Sequence, residues 1–128
     1  MWWHCFYCRD CANSTNHTAI TPPPPDAELE YALNKVGCAA VVMAPSFKTS
    51  NYDAMMREVV PELDSVTVGR LASAKVPSLR HVICLAPTAH AGMLRYADVV
   101  RYGSAGDVAD MRTAAAALDV DDAINIQL

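Results

Sequence analysis

Three cysteines, Cys5, Cys8 and Cys11, stand three residues apart near the start of the chain, and His17 follows. The C-x-x-C-x-x-C spacing lets three thiolates converge on one ion, and an imidazole from His17 would complete a Cys3His zinc site. The run also overlaps an iron–sulfur pattern, without its fourth cysteine and following proline. A closed zinc site commonly draws a second ligand pair from a dozen or more residues away, and Cys38 is the one distant candidate. The alternative is a cysteine-rich tail that holds no metal. Five cysteines, an odd number, in a chain with no export signal point to free thiols or metal ligands rather than disulfides. Cys38 and Cys84 sit beside or within apolar runs, where cysteine acts as a small hydrophobe.

The remaining polar residues form no reactive constellation. His81 and His90 flank an apolar run without a serine or cysteine partner in a motif, so both read as structural. Asp119, Asp121 and Asp122 lack the glycine and final glutamate of a calcium loop and read as a solvated turn. The G-S-A-G run at 103–106 follows no strand directly and is too short for a phosphate loop. Lys48, Arg57, Arg70, Lys75 and Arg80 are scattered among acids and read as surface charge. No catalytic, cofactor-binding or metal-ligating residue is assigned.

These residues hang on a regular alternation of elements. Four prolines at 22–25 fix φ and remove donors, dividing the chain. Residues 1–25 form an irregular Cys/Pro-rich segment, and 26–128 form the folded unit. Asp26 opens a helix whose Leu29, Leu33 and Val36 share one face, with Gly37 at its left-handed end. Residues 38–44 make a continuous apolar run expected to be a strand buried on both faces. A second helix starts at Ser50, with Asp53 as its capping-box partner and Tyr52, Met55, Met56, Val59 and Leu63 as its stripe. A strand over 81–85, a helix around 94–101 ending at Gly103, a helix over 107–118 and an alternating strand over 123–128 complete the order. The pattern is α/β: a partial three-layer βαβ unit with a short, mostly parallel sheet. Ligands of such sheets bind beyond the carboxyl ends of the strands.

Composition sets further bounds. About half of the 128 residues are apolar, enough for a packed core. A net charge of −4 argues against nucleic acid and anionic membranes as partners. No window reaches the roughly 18 uncharged apolar residues that span a bilayer. The start of the chain lacks a basic region followed by an apolar run, so an intracellular product, cytoplasmic or mitochondrial, is expected.

Four segments carry a family resemblance: AELEYALNKVGC at 27–38, SFKTSNY at 46–52, PEL at 61–63 and DDAINIQ at 121–127. In this order and spacing they resemble the N-terminal domain of adenylate-forming (AMP-binding) ligases of the medium-chain and fatty acyl-CoA synthetase type, over residues 26–128. DDAINIQ is similar to the approach to that family's nucleotide loop, of the type T-S-G-T-T-G-x-P-K-G. The resemblance implies a reaction in which a fatty or other carboxylic acid and ATP give an acyl-adenylate, whose acyl group passes to coenzyme A, with Mg²⁺ neutralising phosphate charge. It implies that ATP, Mg²⁺ and coenzyme A serve the full-length family. The loop would begin after Leu128, so the chain alone is expected to be inactive. The alternative is a small non-catalytic binding or regulatory α/β protein, self-associating through exposed sheet edges or carrying zinc at its start.

Overall fold

The computed structural model describes residues 3–9, 14–20, 26–117 and 125–127, with side chains described over 28–117. At its centre is a βαβ unit. Strand β3 (Ala40–Met43) leads through helix α2 (Tyr52–Val59) to strand β6 (His81–Cys84), and the two strands pair in parallel with Val41 opposite Val82. Between β3 and α2 lies a two-residue hairpin, β4 (Ser46–Phe47) with β5 (Ser50–Asn51). Helix α1 (Asp26–Lys35) enters β3 through a turn in which Cys38 N–H donates to the Leu33 carbonyl at 2.9 Å and Gly37 N–H to Asn34 at 3.1 Å. This is the doubly bonded helix end that needs a left-handed residue, and Gly37 has φ 62.

Strand β7 (Leu94–Arg95) adds to β6 in parallel, and helix α3 (Tyr96–Tyr102) follows it. Helix α4 (Ala105–Ala116) starts at a Ser104 cap in a complete capping box with Asp107. The G-S-A-G run is thus a helix start. The main sheet has the order β7-β6-β3-β1-β2-β8, with β1 (Trp3–Arg9), β2 (Ser14–Ile20) and β8 (Asn125–Gln127). Strands β2 and β8 pair in parallel, whereas β1 is antiparallel to both of its neighbours. The sheet is mostly parallel, as the α/β pattern requires. The segment read as irregular contributes an antiparallel pair, from runs rich in the aromatic and β-branched residues that strands favour.

The core lies on one face of the sheet. Leu29 and Leu33 of α1 and Met56 and Val59 of α2 are buried with Val41, Met43, Val82 and Cys84 of the strands. Each fully buried side chain of this size contributes about 1.5–3 kcal/mol relative to exposure. Loop residues Leu71, Val76 and Leu79 are buried in the same core. Strand β3 differs from expectation: Val41 and Met43 are buried, but Ala40 and Val42 are only half-buried. Both described helices that pack a core lie on the other face, so continuous apolarity here marks a second face left partly open. Among the described residues the three-layer arrangement is therefore partial.

Candidate functional site

The polypeptide opens a cleft of about 360 Å³ just beyond the carboxyl ends of β3 and β6, where open parallel sheets place their ligands. One wall is the connection from β3 to α2, which contributes Pro45, Ser46, Lys48, Thr49, Ser50 and Asn51. His90, on the loop after β6, and Asp53, in the first turn of α2, form the other. Lys48 occupies the hairpin turn with φ 53, a conformation unfavourable for a residue bearing a Cβ, and its Nζ lies 5.4 Å from the Phe47 ring centre.

Helix α2 is fixed at the cleft by its first turn. Asn51 Oδ1 accepts from Ala54 N–H at 3.0 Å, and Asp53 N–H donates to the Pro45 carbonyl at 3.1 Å. The cap is Asn51 rather than Ser50, because the helix begins at Tyr52 and Asn51 is the residue that precedes it. Asp53, freed from capping, turns to an arginine and a histidine. Arg57 Nε donates to its Oδ2 at 3.2 Å, and His90 Nδ1 approaches its Oδ1 to 3.3 Å. The second approach is close in distance but lacks hydrogen-bond geometry, so the buried Oδ1 atom has no bonded partner.

Arg57 ties the loops together. Its Nη1 meets Asp64 at 2.5 Å, and its Nη2 donates to the Ala91 carbonyl at 3.2 Å. Burial alone would lower the Arg57 pKa, but its hydrogen bonds to the Asp53 and Asp64 carboxylates, with their charge, outweigh it and raise the net value. Gly92 makes this docking possible. It has φ +71, and a Cβ there would stand 2.3 Å from the Leu63 carbonyl oxygen. Only glycine permits so close an approach.

The cleft therefore offers one ammonium and several hydroxyls. That is equipment for holding a polar ligand. His90 faces a carboxylate, and no group of three or more His, Cys, Asp or Glu able to hold a metal occurs among the described residues. Sequence reasoning read Lys48 and Arg57 as dispersed surface charge and His90 as partnerless; the fold brings Lys48, Asp53, Arg57 and His90 to one place. The usable signal was positional, since both loops follow the carboxyl ends of parallel strands. His81, at the opposite end of β6, is exposed and takes no part. The side chains of Cys5, Cys8, Cys11 and His17 lie outside the described residues, as do Asp119, Asp121 and Asp122. Cys38 is disulfide-bonded rather than a thiol, which removes it as a thiolate ligand. Cys84 remains a free thiol, and burial pushes its pKa up.

Comparison with known proteins decides the family. A mitochondrial medium-chain acyl-CoA ligase (ACSF2) of Mus musculus is 37% identical over 111 residues, covering 85% of this chain and 18% of the ligase. Its Danio rerio counterpart is 31% identical over 109 residues, with the same two coverages. The putative acyl-CoA synthetase YngI of Bacillus subtilis is 27% identical over 100 residues, covering 78% of this chain. The chain belongs to the acyl-CoA synthetases of the adenylate-forming ligase family. No family model and no solved structure matches it. The chain spans 18% of the length of the vertebrate ligases it matches. No helix among the described residues is long and apolar enough to cross a membrane.

Proposed function

We propose that the chain forms part of the N-terminal, AMP-binding domain of an ATP-dependent acyl-CoA synthetase and is inactive alone. In the whole protein a fatty or other carboxylic acid is activated as its acyl-adenylate and transferred to the thiol of coenzyme A, with Mg²⁺ on the phosphates. The cleft at the strand ends is the surface assigned to ligand contact, with Lys48 and the hydroxyls of Ser46, Thr49 and Ser50 as its polar groups. The vertebrate relatives are named mitochondrial, and the reading places the whole protein in that compartment.

The observation that carries the proposal is the match of one synthetase segment, at 31–37% identity, to 85% of this chain. No residue described here supplies the backbone cradle or the transferring groups that adenylation needs. The purified chain, given ATP, Mg²⁺, fatty acids of several lengths and coenzyme A, is therefore expected to release no pyrophosphate above background. Turnover would overturn the inactivity. In a chimera where the chain replaces the matched segment of the mouse ligase, acyl-CoA formation is expected to persist. A folded chimera without turnover would overturn the synthetase reading.

A further inference from the structure

Helices α3 and α4, of seven and twelve residues, contain no buried residue. Apolar side chains are unusually open on both: Tyr96 is 49%, Val100 63%, Tyr102 71%, Val108 44% and Met111 62% exposed. Isolated helices shorter than about 12–15 residues are marginal in water, and most helices owe their stability to a packed face. Single exposed apolar residues are ordinary on a monomer, but five on two successive helices indicate a covered surface.

We propose that α3 and α4 dock against the rest of an acyl-CoA synthetase polypeptide, the part of the relatives' length that this chain does not span. The proposal rests on the synthetase reading. Its occupant is chosen by length. A match over 109 residues of a 128-residue chain leaves at most 19 outside it, so α3 and Val108 fall within it however the ends are trimmed. In those relatives the matched segment is 18% of the chain, and a much longer polypeptide is at hand to bury the same positions. Charge disfavours an anionic bilayer as the occupant, since α4 carries Asp107 and Asp110 against Arg112 alone.

The test compares one pair of substitutions, Val100→Lys with Tyr102→Lys, in two settings. In the isolated chain both side chains face water, and the thermal midpoint is expected to stay within about 2 °C of the parent. In the mouse-ligase chimera the same pair would place two ammonium groups in a packed interface, and the midpoint should fall by about 5 °C or more. Equal midpoints in a folded chimera overturn the docking surface and leave the synthetase reading intact. A folded chimera that loses turnover but shows the drop does the reverse, and a chimera that does not fold overturns both. Concentration-dependent dimerisation of the isolated chain, abolished by the same pair, would assign the face to a second copy and overturn the proposal.

Discussion

At the scale of single residues, Arg57 and Arg95 show why similar ion pairs have different weights. Arg95 meets Asp98 through two hydrogen bonds of 2.6 Å, but its side chain is 37% exposed and the pair joins neighbouring residues. Arg57 is 20% exposed and joins α2, Asp64 and the loop carrying His90. An exposed pair contributes about 0–1 kcal/mol, whereas a partly buried hydrogen bond to a charged group contributes about 1.5–3. Arg57→Met is expected to cost about 2 kcal/mol in denaturant unfolding, and Arg95→Met to leave the unfolding midpoint unchanged. A near-zero loss for Arg57→Met would show that water already replaces its partners. Gly92→Ala should be worse, at about 3 kcal/mol, because left-handed strain adds to a collision with backbone at Leu63 that no rotamer relieves. A crystal structure or amide shifts of that variant should show the His90 loop displaced from the cleft.

Among the elements, the 3-10 turn over 61–64 is a clasp for the long loop that follows it. Glu62 Oε1 accepts from Ala74 N–H at 2.9 Å, and this bond is the chief reason its carboxyl pKa lies below the ordinary value of 4.5. A carboxylate lowered in the folded state stabilises above its unfolded pKa and loses that contribution as pH falls through the folded value. Wild type should therefore exceed Glu62→Gln in stability at pH 7, with the gap constant down to about pH 5 and closing below pH 4.5. Parallel urea titrations at several pH values check this; a gap that widens in acid would contradict the assignment. Elements whose signals are local were legible in the sequence. Gly37 ends α1 where a left-handed residue is needed, and Tyr52, Met56 and Val59 face the core as their spacing requires. The cap of α2 differs by one residue from the expected one, since Ser50 and Asn51 both have capping side chains and local sequence does not choose between them. The cleft's place at the strand ends follows from the α/β pattern, but the side chains that meet there were not legible. Asp53 and His90 are 37 positions apart, and their 3.3 Å approach depends on Gly92 touching Leu63.

For the molecule as a whole, burial is unevenly distributed. Leu29, Leu33, Met56, Leu63, Leu79 and Val82 are essentially closed to solvent, while nothing in α3 or α4 is. Opening free energies follow such differences. Hydrogen exchange of the isolated chain should find the slowest amides in β3, β6 and α2, and near-unprotected amides throughout α4. Protection of α4 equal to that of β3 would mean that the helix is already covered in this chain. The strand order has a consequence of another kind. In β3 and β6 the partners Val41 and Val82 are 41 positions apart, joined by one helix, whereas His17 of β2 lies opposite Asn125 of β8. Closing the larger loop costs more entropy and must wait for nearly the whole chain. As the polypeptide leaves the ribosome, the βαβ unit and its cleft can form while β2 still waits for its neighbour. The cleft is therefore expected to mature early, and the far edge of the sheet last.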